Sequence, residues 1–342
     1  MRGQAFGASG PSSWADVRCL RAITSATIRP APLLRCKVPE FLQSAVDSLC
    51  DKGDITYTIK DIEGCFPNMP KEAIEFGLLE LTSQLRKAGR TEVIVPKKDS
   101  LKCSWTSRKK YGIVRMPLQT MMDVIKFVLD NTFIKDLDGM LWQQKLGIPM
   151  GDPHSPGMTI GACAWMEKEW VSSLATDVRS SFRAARYMDD ILMVIAKHDR
   201  FDHERFLLDF QKSECYWPPL TLEDAKEDTF LETTFSLRGN SLRYWLKNDN
   251  TITNPTKIWR YAHFRSYATL EMKKKILKAT LLKLHNMASD DGVLCESAID
   301  KLLEFKGLGY PPGIIASACG AVAVRTRNTT WFRIRNSVVH MS

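Results

Sequence analysis

A pair of adjacent aspartates inside an apolar stretch constrains the fold of this chain most strongly. Asp189 and Asp190 follow Tyr187 and Met188, and the next five residues, 191–195, are all apolar. Successive residues of a strand point to opposite faces, so a tight turn is needed to bring both carboxylates to one site. Unpaired carboxylates in apolar surroundings are costly, and Mg²⁺ prefers carboxylate oxygens as ligands. The pattern therefore predicts strand, tight turn and strand around a metal site; a surface turn is the simpler alternative.

Asp61 is a second candidate carboxylate. It follows residues 55–59, whose β-branched and aromatic side chains predict a buried strand that ends at Lys60 and Asp61. Taken alone, Asp61 is more typical of a turn or of a helix N-terminus. Together with Asp189 it would hold two Mg²⁺ ions about 4 Å apart, an arrangement suited to phosphoryl or nucleotidyl transfer.

A loop rich in Gly and Pro at residues 147–156 is the third feature. Its glycines let the backbone approach a flat ligand closely, and Ser155 with Pro156 is typical of a helix start. Apolar spacing predicts further elements, namely helices over 38–49, 70–88, 117–134 and 157–175 and a hairpin of strands 230–237 and 242–246.

The composition excludes several classes of protein. Hydrophobic residues make up 44% and charged residues 25% of the 342 residues, the balance of a globular protein. The nine cysteines include no Cys-x-x-Cys, which argues against a disulfide framework or zinc finger and favours a reducing compartment. Residues 307–324 are uncharged but contain two prolines, so they predict a loop and a buried helix and no membrane span.

The charge distribution is compatible with a polyanionic partner. Lys and Arg number 48 against 39 Asp and Glu, a net charge of +9. Residues 251–342 hold fourteen basic and six acidic side chains. Residues 81–120 hold ten basic and two acidic side chains. Residues 1–37 hold six basic side chains and one acidic side chain. This composition predicts a loosely ordered basic arm, with a transit peptide as the alternative. A solvated basic surface and a phosphate-binding surface both explain this distribution.

The order of the three motifs resembles that of the palm of reverse transcriptases. Residues 61–66 are similar to the first palm motif, 147–156 to the Pro-x-Gly motif and 187–190 to the Tyr-x-Asp-Asp box. The resemblance implies an α+β right-hand polymerase, with fingers, a palm with an antiparallel sheet, and a helical thumb. The domains would be an arm at 1–37, the fingers and palm at 38–240, and the primer-grip end with a basic helical thumb at 241–342.

The resemblance also implies a catalytic metal centre. Asp61, Asp189 and Asp190 would be the catalytic residues and would hold two Mg²⁺ ions, for which Mn²⁺ would substitute. The carbonyl oxygen of Ile62 would be a further metal ligand.

Substrate contacts follow from the same resemblance. Phe66 would exclude a ribose 2′-hydroxyl, and Met150, Gly151 and Met188 would also bind the nucleotide. An RNA template and a DNA primer would contact polar and basic side chains, namely Gln144, Arg108, Lys109, Lys110, Arg115, Lys273, Lys274 and Lys275.

Within reverse transcriptases, the chain is most similar to the telomerase-related Penelope-like retroelements. Residues 131–134 and 142–147 resemble their Asn-x-Phe … Tyr-x-Gln-x-x-Gly pattern, and 309–311 resembles a Gly-Tyr-Pro near the end of their thumb. The resemblance covers about residues 40–320 and includes no GIY-YIG endonuclease, so it implies the polymerase core alone. Departures from the family pattern occur at Asp152, Glu232 and Thr233.

The sequence thus predicts an RNA-directed DNA polymerase that adds dNTPs to a primer 3′-hydroxyl. One alternative is a degenerate or domesticated copy that binds nucleic acid without polymerising, motivated by Asp152 and by short fingers. A viral RNA-templated RNA polymerase is another, although that class more often has Gly-Asp-Asp and a smaller residue than Phe66. We expect a nuclear location, with the cytoplasm and the mitochondrion as alternatives, and no membrane association; protein partners are not predicted.

Overall fold

The computed structural model describes residues 38–96, 112–150, 154–199, 201–212, 215–225, 227–239, 241–248 and 260–340. Its helices, numbered in chain order, are α1 (Val38–Leu49), α2 (Cys65–Asn68), α3 (Lys71–Lys87), α4 (Leu118–Asp130), α5 (Ser155–Ser173), α6 (Thr176–Ser180), α7 (His203–Gln211), α8 (Leu270–Asn286), α9 (Asp291–Gly307), α10 (Pro312–Thr326) and α11 (Thr330–His340). Its strands are β1 (Asp54–Glu63), β2 (Glu92–Pro96), β3 (Ile113–Pro117), β4 (Phe133–Lys135), β5 (Leu141–Gln143), β6 (Phe182–Tyr187), β7 (Asp190–Lys197), β8 (Thr221–Asp224), β9 (Thr229–Phe230), β10 (Thr233–Arg238) and β11 (Ser241–Leu246).

The described residues form two compact units. The first is built from those of Thr58–Asp224, and the second from those of Leu34–Tyr57 and Ala225–Ser342. The mixture of helices and sheets confirms the predicted combination of α and β structure. The predicted arm at 1–37 lies outside the described residues, and the predicted division between residues 240 and 241 stays a prediction.

A four-stranded sheet organises the first unit, in the strand order β6-β7-β1-β8. Strands β6 and β7 form an antiparallel hairpin whose last pair joins Tyr187 to Asp190. Strand β1 runs antiparallel to β8, with Asp61 opposite Glu223. Residues 191–196 of β7 are all buried. Since neighbouring side chains of a strand point to opposite faces, β7 is covered on both faces, which explains its continuous apolar sequence.

Two long helices of the first unit, α3 and α5, approach each other closely at a pair of glycines. A Cβ atom added at Gly77 would lie 2.7 Å from the carbonyl oxygen of Gly161, so a larger residue would push the helices apart. Both helices bury apolar side chains in the core of this unit, including Ile74 of α3 and Met158 of α5. This contact lies in the first half of α5, the helix that follows the loop rich in Gly and Pro.

The second unit combines a three-stranded sheet with helices α8 to α11. The sheet has the order β11-β10-β9, and β10 pairs with β11 from Thr233–Leu246 to Arg238–Ser241. The helices enclose a core that includes the fully buried Leu277, Phe305 and Trp331. The two units thus each have a hydrophobic core of their own.

The predicted elements are largely confirmed, including α1 over residues 38–49 and the two hairpins. Helix 117–134, however, was predicted too long: α4 ends at Asp130, because residues 133–135 pair with β5 as strand β4. The strand predicted over 230–237 is also interrupted, because Leu231 and Glu232 adopt left-handed φ values of 50° and 66° between β9 and β10. Among helices of the described ranges, none is long and apolar enough to cross a membrane.

The predicted end of β1 at Lys60 and Asp61 was wrong, because the strand continues to Glu63. Its continuation buries Ile62 and pairs residues 60–63 with β8. Lys60 is tolerated inside the sheet because its ammonium donates to Asp224 at 2.5 Å and to Gln211 at 3.1 Å. A buried lysine with charged and amide partners does not have to end a strand.

Candidate active site

The acidic pair lies at the β6–β7 turn, as the sequence predicted. Met188 and Asp189 form the two-residue connection, and Asp190 is the first residue of β7. Met188 has a φ of 59°, in the left-handed region that residues other than glycine rarely adopt. Met188, Asp189 and Asp190 are all half-buried, so the turn is in partial contact with solvent.

Asp61 and Ile62 lie on the strand next to this turn. Strand β1 is the neighbour of β7 in the sheet, and the N–H of Ile62 donates to the carbonyl oxygen of Asp189 at 3.0 Å. The side chain of Ile62 is buried, whereas Asp61 is half-buried. Hydrogen bonding within the sheet therefore brings together the acidic motifs from two distant parts of the sequence.

The loop rich in Gly and Pro lies against the segment that follows Asp61. The N–H of Ile148 donates to the carbonyl oxygen of Phe66 at 2.8 Å. Gly147 has a φ of 73°, and a Cβ atom there would lie 2.2 Å from the carbonyl oxygen of Pro67. At the start of α5, the hydroxyl of Ser155 donates to the carbonyl oxygen of Pro149 at 2.7 Å. The loop is thus held at α2 and at α5.

Three of the four predicted nucleotide-binding residues lie within the described ranges. Phe66 is half-buried in α2, next to the loop, and Met188 is in the β6–β7 turn. Met150 exposes 78% of its surface at the end of the described part of the loop. Gly151 lies outside the described residues, as does Asp152.

The donor atoms of the site fit a hard divalent cation. Asp61 of β1, Asp189 of the β6–β7 turn and Asp190 of β7 supply carboxylate oxygens, which Mg²⁺ prefers. In the described part of the chain, no three His, Cys, Asp or Glu side chains are grouped closely enough to hold a metal ion. The backbone places these carboxylates on β1 and around the adjacent β6–β7 turn, and closing them around a cation would require side-chain movement.

An ionic network behind the turn was not predicted. The guanidinium of Arg186 pairs with the carboxylate of Glu167 on α5, and its Nη1 also donates to the carbonyl oxygen of Met188 at 2.8 Å. The hydroxyl of Tyr216 donates to Glu167 at 2.7 Å. Burial is the largest single influence and lowers the pKa of the Arg186 guanidinium, but Glu167 together with Cys163 and Tyr216 raises that pKa well above its usual value.

A signal in the sequence would have indicated this network. Arg186 directly precedes the Tyr-Met-Asp-Asp motif and lies in a strand of the sheet. Its side chain is only 9% exposed, and a buried charge requires a partner. The identity of that partner, Glu167, depends on the packing of α5 against the sheet and was not predictable from sequence spacing.

The predicted nucleic-acid contacts of the first unit have different surroundings. Arg115 on β3 forms an ion pair with Glu92, and about half of its side chain, 48%, is exposed. The side-chain amide of Gln144 donates to the carbonyl oxygen of Leu146 at 3.0 Å, just before the loop at 147–156. Arg108, Lys109 and Lys110 lie outside the described residues.

The three predicted lysines of the second unit also differ from one another. Lys273 is buried and donates to the carbonyl oxygens of Phe264 and Ser266 at 2.6 and 2.7 Å, which argues against the prediction that it contacts nucleic acid. Lys274 and Lys275 are exposed on α8, and Lys275 pairs with Glu271 at 2.7 Å. Thr233 begins β10, and Glu232 accepts a hydrogen bond from Lys283 at 2.5 Å.

Sequence comparisons identify no relative: no protein-family model and no curated protein matches the chain. Solved structures do match it. A telomerase from Candida albicans in complex with a TWJ fragment of telomeric RNA aligns with a TM-score of 0.58 at 13% identity, over 94% of this chain and 53% of the telomerase chain. Its fold resembles that of this chain even though few residues are identical.

Two telomerase structures from Candida tropicalis give the same result. The apo form aligns with a TM-score of 0.51 at 12% identity, over 96% of this chain and 54% of that chain. The complex with a TWJ fragment of telomeric RNA aligns with a TM-score of 0.53 at 12% identity, over 97% of this chain and 57% of the telomerase chain. The chain therefore spans about half the length of these telomerases, and across nearly all of its own length it shares their fold.

Proposed function

We propose that this chain is an RNA-directed DNA polymerase, a reverse transcriptase with the right-hand arrangement of fingers, palm and thumb. The observation that carries the proposal is the hydrogen bond between Ile62 and Asp189, which joins the two acidic motifs on adjacent strands. The bond between Ile148 and Phe66 adds the third motif to the same unit. The fold shared with telomerase supports the assignment.

In the proposed reaction, the 3′-oxygen of a DNA primer attacks the α-phosphorus of a dNTP selected by an RNA template. A new phosphorus–oxygen bond forms while the bond from the α-phosphorus to the bridging oxygen breaks. Pyrophosphate leaves, and the proton of the 3′-hydroxyl passes to solvent. Phe66 would exclude ribonucleotides, and Met150, Gly151 and Met188 would contact the nucleotide.

Asp61, Asp189, Asp190 and the carbonyl oxygen of Ile62 would hold two Mg²⁺ ions. When bound, such ions stabilise the charges that develop on the attacking and leaving oxygens. The chain's own contribution is to position these donors through β1 and the β6–β7 turn. The Penelope-like subgroup, a retroelement origin and a nuclear location belong to the same proposal.

Primer extension tests this function directly. A labelled DNA primer on an RNA template is incubated with the chain and Mg²⁺, with dNTPs in one reaction and rNTPs in the other. We expect extension with dNTPs. Extension with rNTPs alone would contradict the proposal and favour an RNA polymerase.

A second candidate function is nucleic-acid binding without polymerisation. It is favoured by the absence, within the described ranges, of three grouped carboxylates at the site. Fluorescence anisotropy with labelled RNA and DNA separates the two candidates. Salt-dependent binding without extension in either Mg²⁺ or Mn²⁺ would favour the binding protein.

A further inference from the structure

The two carbonyl oxygens of the Met188–Asp189 turn are held from opposite sides. The carbonyl of Asp189 accepts from the Ile62 N–H at 3.0 Å, and the carbonyl of Met188 accepts from Arg186 at 2.8 Å. Met188 is in the left-handed region, which disfavours side chains with a Cβ atom. The turn therefore depends on contacts outside itself to keep this conformation.

Arg186 connects the turn to helix α5. Its guanidinium forms a fork on both carboxylate oxygens of Glu167, and the remaining Nη1 reaches Met188. The hydroxyl of Tyr216 donates to the same carboxylate at 2.7 Å, and Tyr216 is itself buried. A planar guanidinium with several donors satisfies these acceptors together, whereas an ammonium offers a single point of charge.

We propose that Arg186 is a positioning residue for the metal-binding carboxylates. By tying the Met188 carbonyl to Glu167, it keeps the turn in the conformation in which the Asp189 carbonyl accepts from the Ile62 N–H, on the strand that carries Asp61. This inference rests on the proposed function, in which these carboxylates hold divalent cations. Glu167 and Tyr216 act through Arg186 and do not touch the substrate.

A purely structural role for the network makes a different prediction. A buried ion pair contributes to folding, and its loss would lower the stability of the whole unit. A positioning role additionally lowers the affinity for divalent cations in molecules that remain folded. Metal affinity in the absence of any reaction therefore distinguishes the two roles.

The test measures Mn²⁺ binding to the full chain by electron paramagnetic resonance, without nucleic acid or nucleotide. The variants are Arg186→Lys, Asp189→Asn and, as a matched control on the same strand, Arg183→Lys. Arg183 donates to the carbonyl oxygens of Phe182 and Ser180 at 2.7 and 3.3 Å, at the opposite end of β6 from the turn. Circular dichroism and urea unfolding confirm that each variant is folded.

We expect Arg186→Lys to weaken Mn²⁺ binding about tenfold, the usual effect of losing a group that orients a metal ligand, and Arg183→Lys to leave it unchanged. Unchanged binding in folded Arg186→Lys would overturn the inference. If Arg186→Lys does not fold, Tyr216→Phe takes its place, and we expect it to weaken Mn²⁺ binding about threefold. Unchanged Mn²⁺ binding in Tyr216→Phe would then overturn the inference. Unchanged binding in Asp189→Asn would instead show that the proposed metal site itself is wrong.

Discussion

The amide of Ile62 donates a hydrogen bond of 3.0 Å to the carbonyl oxygen of Asp189. This bond fixes the β6–β7 turn against β1 and so relates Asp61 to the Asp-Asp pair. Because the bond joins two backbones, it sets the position of both acidic motifs independently of the side chains that flank them. The predictions below test this arrangement and the segments that support it.

Gly147 is required by its close approach to Pro67. Gly147→Ala would place a Cβ atom 2.2 Å from the Pro67 carbonyl oxygen, at a φ of 73°. Gly89→Ala is a matched control, because Gly89 has a φ of 72° and nothing within 4 Å of the added atom.

Both substitutions carry the cost of a left-handed alanine, about 1 kcal/mol, and only Gly147→Ala adds a clash with backbone. We therefore expect Gly147→Ala to lower the free energy of unfolding by about 2 kcal/mol more than Gly89→Ala does. Urea titration followed by circular dichroism measures both. Equal losses would contradict the contact between the loop and α2.

Phe66 is predicted to discriminate between deoxyribonucleotides and ribonucleotides. Its backbone carbonyl accepts from the Ile148 N–H of the loop, and in the proposed site its ring would block the 2′-hydroxyl of an incoming ribonucleotide. Phe66→Ala should raise the rate of rNTP incorporation relative to dNTP incorporation about tenfold or more in steady-state primer extension. Phe127→Ala, which truncates an exposed ring on α4, should leave the ratio unchanged. A ratio unaffected by Phe66→Ala would remove this residue from the nucleotide site.

Lys273 and Lys274 are adjacent in sequence but should respond differently to substitution. Lys274 is exposed, and if it contacts a phosphate, Lys274→Ala should reduce the slope of log affinity against log salt concentration by about 1. Lys273→Met should lower stability, because two carbonyl oxygens lose their donor, and should leave the slope unchanged. Fluorescence anisotropy with labelled RNA at several salt concentrations provides the slopes. A slope that falls with Lys273→Met and not with Lys274→Ala would contradict this assignment.

Asp290 caps helix α9 and makes its stability dependent on pH. Its carboxylate accepts from the Val293 N–H at 2.9 Å, and this bond lowers the pKa of Asp290 below its usual value. A lowered pKa in the folded state means that the contribution is present above the pKa of the unfolded chain, about 3.9, and is lost as the pH falls through the folded pKa.

Asp290→Ala should therefore lower the free energy of unfolding by about 1 kcal/mol at pH 7, with a smaller difference near pH 3. Asp290→Asn keeps an oxygen acceptor and should retain most of the stability at pH 7. Urea titrations at the two pH values measure these differences. A deficit for Asp290→Ala that is independent of pH would show that the carboxylate charge is not involved.

The sequence predicted the elements whose signals are local. The helix over 38–49 and the turn at Met188 and Asp189 follow from apolar spacing and from the position of the acids. The extension of β1 to Glu63 was not predictable, because Lys60 finds its partners at Asp224 and Gln211, far away in the sequence. The break at Leu231 and Glu232 depends on left-handed backbone conformations that these residue types do not signal.

At the candidate site, too, local motifs were predictable from the sequence and contacts between distant residues were not. Asp61, Phe66 and the Asp-Asp pair were identified from motif order, and the strands bring the first and last of these motifs together. The support behind the turn was missed, because Arg186, Glu167 and Tyr216 meet only through the packing of α5 against the sheet. The burial of Lys273 was missed for a related reason, since its acceptors are carbonyl oxygens of a preceding loop.

The most direct test of the central claim is single-nucleotide primer extension by the wild-type chain, Asp189→Asn and Asp199→Asn, on an RNA template with dNTPs and Mg²⁺. Asp199 is an exposed carboxylate just beyond the other end of β7, so its substitution makes the same change of charge away from the β1 contact. We predict that Asp189→Asn lowers the rate by about a thousandfold or more and that Asp199→Asn leaves it within a factor of about two. An active wild-type chain whose rate is unaffected by Asp189→Asn would contradict the account.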